Sequence, residues 1–179
     1  MLMRVVFLRH GIATDRDDPA GPPEDADRPL TPRGVKRTRS AAEGLRALDV
    51  APDKILTSPF LRARQTAELA AAALGVAQSK VQIVQILNPD AEPAPLFEVL
   101  ARQAAAETVL VVGHAPHIDR AIRYAVDRGD APLWSLKKAG AACVELDRAG
   151  KPGGRLLWLL EPAALRALAH AADHERDAA

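Results

Sequence analysis

Two histidines and two arginines lie where short apolar segments of the sequence end. Arg9 and His10 directly follow one such segment. Arg62 comes shortly after a second, and His114 ends a third. A neutral imidazole is a good nucleophile toward phosphorus, and a guanidinium presents paired, permanently charged donors that match phosphate oxygens. We therefore predict that His10 is a nucleophile and that Arg9 and Arg62 hold phosphoryl oxygens. His114 would complete the pocket as an imidazolium or as a hydrogen-bond donor.

A purely structural role for these four residues is the alternative to a phosphate pocket. It would have to explain why charged and polar side chains gather at the ends of buried strands, where an unpaired charge is costly. The pocket explains their placement directly.

The elements that would position these residues alternate between strands and helices. The predicted strands are Arg4 to Leu8, Lys54 to Leu56, Val81 to Leu87, Thr108 to Val112, Ala141 to Leu146 and Arg155 to Leu160. The predicted helices are Pro32 to Leu48, Phe60 to Leu74, Leu96 to Ala106, His117 to Val126 and a last one that starts after Pro162. This alternation predicts an α/β fold, a three-layer α/β/α sandwich whose central sheet is mostly parallel and carries helices on both faces. In such sheets ligands bind beyond the carboxyl ends of the strands.

Length and composition predict one globular domain in a reducing compartment. The chain of 179 residues is 48% hydrophobic and 26% charged, which is the balance of a globular protein with its own core. We expect the domain to span residues 1–172 and residues 173–179 to form a flexible tail. The net charge of +1 offers no overall field for nucleic acid. The single Cys143 cannot form an intrachain disulfide, and no apolar segment is long enough for a signal peptide or a membrane span. The expected location is the cytoplasm.

Four short motifs occur in order along the chain: Leu8-Arg9-His10-Gly11, Arg28-Pro29-Leu30-Thr31, Ser58-Pro59-Phe60-Leu61-Arg62-Ala63 and Val112-Gly113-His114. Together they closely resemble the histidine phosphatase superfamily, which is phosphoglycerate mutase-like. Within it the chain looks like the small, short-looped SixA type of phosphohistidine phosphatase. The resemblance implies a metal-independent phosphatase without a cofactor that works through a phosphohistidine intermediate on His10.

The proton donor to the leaving group is less clearly marked. In phosphomonoesterases of this superfamily a carboxyl group after the third strand protonates an alkoxide, and this chain offers Asp90 and Glu92 there. The long loop before Pro32 supplies further acids, most of which we expect to be solvated: Asp15, Asp17, Asp18, Glu24, Asp25 and Asp27. Imidazole is a better leaving group than an alkoxide, so a phosphohistidine substrate relaxes the demand for an acid.

Several roles stay open from the sequence. Arg28 either contacts substrate or anchors its loop, and Ser58 is interpreted as a turn and helix-cap residue rather than a nucleophile. The expected partner is a phosphorylated protein side chain on a phosphohistidine domain, or a small phosphoester. A general small-molecule phosphomonoesterase and a non-catalytic phosphoanion-binding module are the alternative functions. The scattered histidines predict no metal site, and the sequence does not indicate an oligomeric state.

Overall fold

A computed structural model describes residues 2–103, 105–129, 133–147 and 151–177. The strands are β1 (Leu2–Arg9), β2 (Lys54–Thr57), β3 (Val81–Ile83), β4 (Thr108–Gly113), β5 (Ala141–Asp147) and β6 (Arg155–Leu160). The helices are α1 (Pro32–Ala47), α2 (Leu61–Leu74), α3 (Ala94–Ala101), α4 (His117–Asp127) and α5 (Pro162–Asp177). Short 3-10 helices cover Asp25–Asp27, Gln78–Lys80 and Gln85–Leu87.

Within the described ranges six strands form one sheet in the order β3-β2-β4-β1-β5-β6. The strands β3, β2, β4 and β1 run parallel to one another. β5 is antiparallel to β1, and β6 is antiparallel to β5. The mostly parallel sheet predicted from the alternation of elements is confirmed.

Helices cover both faces of this sheet because its central strands are apolar on both sides. In β1, Val5 and Phe7 pack into a buried cluster with residues of α3 and α4. Val6 and Leu8 point to the opposite face and pack with residues of α1, α2 and α5. Successive side chains of a strand alternate between faces, so one strand supplies both cores. The predicted three-layer α/β/α sandwich is thereby confirmed.

Parallel pairing brings the residues after three strands to one edge of the sheet. The backbone N–H of His10 donates to the carbonyl oxygen of Gly113 at 2.9 Å, and that of Ser58 donates to Val112 at 3.1 Å. His114 follows Gly113 directly. The three side chains that follow β1, β2 and β4 therefore start from neighbouring positions.

The long loop before α1 is closed at its base. Ala13 and Leu30 form an isolated antiparallel bridge. The N-terminus of α1 is capped, because the hydroxyl of Thr31 accepts from the N–H of Gly34 at 2.9 Å. With both ends fixed, the segment over 15–29 must fold back over the edge of the sheet that carries the predicted site.

Two elements differ from the sequence prediction. The strand predicted over 81–87 ends at Ile83, which pairs with Thr57 at the last position of β2. An edge strand whose neighbour has ended has no ladder to continue, and a 3-10 turn follows instead. The helix predicted over 96–106 spans Ala94–Ala101.

The last helix extends into the segment that the sequence assigns to a flexible tail. Residues 173–177 continue α5, whereas 178 and 179 lie outside the described residues. Alanine is the best helix former, and an ion pair one turn apart joins Arg176 to Asp173. Across the described ranges, no helix is both long and apolar enough to cross a membrane.

Candidate active site

His10 is buried at the carboxyl end of β1 with one ring nitrogen bound to the backbone. Its Nδ1 lies 2.7 Å from the carbonyl oxygen of Gly11. A carbonyl oxygen can only accept, so Nδ1 carries the ring proton. Nε2 keeps its lone pair, and Nε of Arg62 donates to it at 3.3 Å. The ring therefore presents an unprotonated nitrogen toward a guanidinium.

The surroundings of His10 keep its ring neutral. Burial lowers the pKa of His10 to about 3, against the opposing effect of the hydrogen bond to Gly11. The positive charges of Arg62, Arg9 and Lys138 lower this pKa further. Since a protonated imidazole has no lone pair to offer, the low pKa keeps Nε2 available for attack at neutral pH.

Arg62 lies in the first turn of α2, and only 4% of the residue is exposed. Its Nη1 donates to the carbonyl oxygen of Asp25 at 2.6 Å, and its Nη2 donates to Oδ2 of the same residue at 2.9 Å. Burial lowers the pKa of Arg62, while the hydrogen bond and the charge of Asp25 raise it. Together with the bond to His10, these contacts fix the plane of a charged guanidinium.

Asp25 links Arg62 to a second arginine of the loop. Its Oδ1 accepts from Nε of Arg28 at 2.8 Å and forms an ion pair with Nη2 at 2.6 Å. Burial alone would raise the pKa of Asp25, but the hydrogen bonds from Arg62 and Arg28 lower it below its usual value. The side chain is therefore a carboxylate that positions Arg62. The sequence alone places Asp25 among loop acids that are mostly expected to be solvated and does not indicate this positioning role.

Arg28 is held within its own loop. Besides its bonds to Asp25, Nη1 donates to the carbonyl oxygen of Thr14 at 2.6 Å. Only 17% of the side chain is exposed. These contacts are those expected of a residue that anchors the loop, which is one of the two roles predicted for Arg28. A direct contact with substrate stays a prediction.

His114 lies beside His10, with ring centroids 4.9 Å apart. Its Nε2 is 2.8 Å from Oγ of Ser58, while its buried Nδ1 has no hydrogen-bond partner in the described part of the chain. The ring also meets the edge of Phe60 at 5.0 Å. Burial lowers the pKa of His114 to about 2, and the neighbouring His10 and Arg62 act in the same direction. Of the two forms predicted for His114, the neutral hydrogen-bond donor fits these surroundings.

Ser58 accepts a hydrogen bond from the backbone two residues on. The backbone N–H of Phe60 donates to Oγ of Ser58 at 3.3 Å, which is the turn contact predicted for Ser58. The α2 helix itself starts without a side-chain cap.

Arg9 is held by the segment before β5, because its Nη1 donates to the carbonyl oxygen of Leu136 at 2.5 Å. Asp119 of α4 accepts from the N–H of Leu136 at 3.0 Å.

The electrostatic setting of Arg9 resembles that of Arg62. Burial lowers the pKa of Arg9, whereas the negative charge of Asp119 raises it. Nε of Arg9 is buried and lacks a hydrogen-bond partner among the described residues. A carboxylate thus acts on each arginine, through a direct ion pair at Arg62 and through its charge alone at Arg9, and Arg9 retains a donor that a ligand could use.

The carboxylates predicted as proton donors lie at the surface. Glu92 is exposed and forms an ion pair with Arg120 at 2.7 Å. Asp90 is exposed as well. No hydrogen bond or ion pair joins either carboxylate to His10 within the ranges described.

The described ranges contain no group of three His, Cys, Asp or Glu side chains that could hold a metal ion.

Comparisons with known proteins agree on one family. The family model of the histidine phosphatase superfamily (branch 1) matches residues 5–88. An uncharacterized protein of Picosynechococcus sp. is 44% identical over 141 residues, which are 77% of this chain and 82% of the relative. The chain belongs to the histidine phosphatase superfamily, and it is an enzyme of the phosphatase class.

Within that superfamily the chain is similar to SixA. The phosphohistidine phosphatase SixA of Escherichia coli is 28% identical over 167 residues, which are 92% of this chain and 97% of the relative. A solved structure of the protein histidine phosphatase SixA complexed with tungstate superposes with a TM-score of 0.79 at 28% identity, covering 91% of this chain and 99% of that one. The family predicted from the four sequence motifs is confirmed.

Proposed function

We propose that the chain hydrolyses protein phosphohistidine through a phosphohistidine intermediate on Nε2 of His10. The observation that carries the proposal is the state of this ring. Nδ1 is tied to the carbonyl oxygen of Gly11, and the lone pair of Nε2 faces the guanidinium of Arg62. A nucleophile beside a fixed cation is the arrangement that phosphoryl transfer requires.

The reaction proceeds in two transfers. Nε2 of His10 attacks phosphorus, the bond from phosphorus to the substrate imidazole breaks, and the departing imidazole takes a proton from water. Water then attacks the phosphorus on His10, the bond to Nε2 breaks, and inorganic phosphate leaves with the neutral ring restored. The ring returns to the tautomer it started from because the Gly11 carbonyl holds the Nδ1 proton throughout.

The phosphoryl oxygens would be held by fixed donors, of which Arg62 already contacts Nε2. Arg62 gives up its hydrogen bond to Nε2 and donates to an oxygen of the transferring group, while Asp25 keeps the guanidinium in place. Arg9 contributes its Nε, which has no hydrogen-bond partner among the residues that the structure describes. Fixed donors of this kind stabilise the charge of the transition state without reorganising.

His114 supplies a neutral donor in this scheme. Oγ of Ser58 accepts from the N–H of Phe60, and we assign its own proton to the hydrogen bond with Nε2 of His114. The ring proton of His114 then lies on Nδ1, the buried nitrogen that has no partner among the described residues. We assign this N–H to a phosphoryl oxygen.

A phosphohistidine substrate makes less demand on a carboxylic acid as proton donor than a phosphoester does. Asp25, the carboxylate bound to Arg62, has a lowered pKa and does not serve as an acid at neutral pH. Asp90 and Glu92 remain the proposed donors for an alkoxide leaving group. Similarity to the phosphohistidine phosphatase SixA supports the same substrate class. If aryl or sugar phosphates were the better substrates, Asp90→Asn or Glu92→Gln should abolish their turnover.

The test uses free phosphohistidine and a small carrier domain phosphorylated on histidine, both in the presence of EDTA. The wild-type enzyme should release inorganic phosphate from both substrates, and His10→Ala should release none. His170→Ala, which changes an exposed histidine of α5, is the matched control and should keep full activity. Wild-type protein that leaves both substrates intact, or His10→Ala that retains activity, would overturn the proposal.

A further inference from the structure

A cavity of about 280 Å³ lies beside the proposed active site and is lined by basic side chains. We call it the basic cavity and define it by Arg37 of α1, Arg166 of α5, and Lys137 and Lys138 of the segment before β5. Three separate parts of the chain thus bring four cations to one concave surface.

The basic cavity holds more positive than negative charge. Its one carboxylate, that of Glu161, pairs with Lys137 at 3.1 Å. Neither Arg37 nor Arg166 forms an ion pair with a carboxylate in the part of the chain that the structure describes. Desolvation and the neighbouring charges of Arg33 and Arg166 lower the pKa of Arg37. Cations that repel one another at a concave surface favour the binding of anions.

The basic cavity borders the backbone that carries the nucleophile. The N–H of Ala139 donates to the carbonyl oxygens of Arg9 and His10 at 3.1 and 3.2 Å. The charge of Lys138 acts on the His10 ring. Ile12, which follows Gly11 in the chain, also lines the cavity. An anion bound there would sit on the same molecular face as a phosphoryl group at His10.

A buried hydroxyl in the wall of the cavity connects it to the backbone beside the nucleophile. Thr38 lines the cavity and is 1% exposed, and its Oγ1 has no hydrogen-bond partner among the described residues. Gly11 packs directly against this hydroxyl, because a Cβ at Gly11 would lie 2.0 Å from Oγ1. One wall of the cavity is therefore built directly against the residue that follows His10.

We propose that the basic cavity binds carboxylate side chains on the acidic surface of the phosphorylated protein and thereby places its phosphohistidine over His10. The proposal rests on the proposed function and adds the kind of partner surface that the enzyme selects. Because the whole chain has a net charge of only +1, the attraction is local and orients the partner at one face. Free phosphohistidine carries a single α-carboxylate and no protein surface, so it cannot dock as the carrier domain does and gains much less from the cavity.

The test compares the two substrates in variants of the cavity. Arg37→Glu and Arg166→Glu should lower kcat/KM for an acidic phosphohistidine carrier domain by about tenfold or more and reduce its dependence on salt. Their kcat/KM for free phosphohistidine should stay within about twofold of wild type, because small ligands make no contact with the cavity rim. Arg39→Glu, which changes an exposed arginine of the same helix outside the cavity, should behave as wild type on both substrates.

Two results would overturn the proposal while leaving the proposed function intact. In one, Arg37→Glu and Arg166→Glu cleave the carrier domain as well as Arg39→Glu does. In the other, turnover of free phosphohistidine falls as much as turnover of the carrier domain, which would place the arginines in the catalytic pocket or in folding. A wild-type enzyme that cleaves neither substrate refutes the proposed function itself, and the docking role falls with it.

Discussion

Acidification should destabilise the fold through the two buried histidines of the pocket. Burial lowers the pKa of His10 from 6.5 to about 3 and that of His114 from 6.5 to about 2. Below 6.5 the unfolded chain therefore binds protons that the folded chain excludes, so the free energy of unfolding falls as the pH falls. One pKa unit corresponds to about 1.4 kcal/mol, so between about pH 6.5 and pH 5 each histidine removes about 2 kcal/mol of stability.

Urea unfolding followed by tryptophan fluorescence at pH 7 and at pH 5 measures this loss. His10→Asn keeps an amide donor near the position of Nδ1 but cannot be protonated in this range. Its free energy of unfolding should fall by about 2 kcal/mol less than that of the wild type over the same interval. His170→Asn, at an exposed position of α5, is the control and should keep the wild-type loss. A His10→Asn protein that loses as much stability as the wild type would refute the argument that burial keeps this ring neutral.

Three further substitutions test the pocket and the packing. Asp25→Asn leaves Arg62 without its carboxylate, so steady-state kinetics on free phosphohistidine should show kcat lowered about tenfold with little change in KM, whereas Asp27→Asn in the same loop should not. Arg62→Lys keeps the charge but loses the paired donors, and kcat/KM should fall about a hundredfold on the same substrate. Gly44→Ala would place a Cβ 2.0 Å from the carbonyl oxygen of Leu165 on α5, and urea unfolding should show a loss of about 2 kcal/mol.

The grouping of the central site residues can be predicted from the sequence, because the order and direction of the strands determine where those residues lie. His10 and His114 directly follow apolar strands, and Arg62 lies in the first turn of the helix after a third. Parallel strands end at the same edge of a sheet, so residues far apart in the chain meet there. The sequence could therefore predict which residues lie together without any knowledge of side-chain contacts.

The side chains that hold those residues in place, through hydrogen bonds and ion pairs, could not be predicted in the same way. Asp25 sits among several loop acids of similar appearance, and only the folding of the loop over the sheet selects it as the partner of Arg62. Ser58 was interpreted through its local turn, whereas its hydroxyl also reaches His114. The one local signal for Asp25 is its spacing from Arg28, three residues on, with which it forms an ion pair. Tertiary contacts of this kind leave no periodic pattern in the sequence.

The most direct test of the proposed mechanism is the position of the phosphoryl group on the trapped enzyme. Wild-type protein mixed with phosphohistidine carrier domain and quenched in alkali, where phosphohistidine persists, can be analysed by mass spectrometry and by phosphorus NMR. We expect acid-labile phosphate on His10 attached to Nε2, because Nδ1 is occupied by its bond to Gly11. Phosphate on Nδ1, phosphate on His114 instead, or turnover without any phosphorylated enzyme would contradict the mechanism.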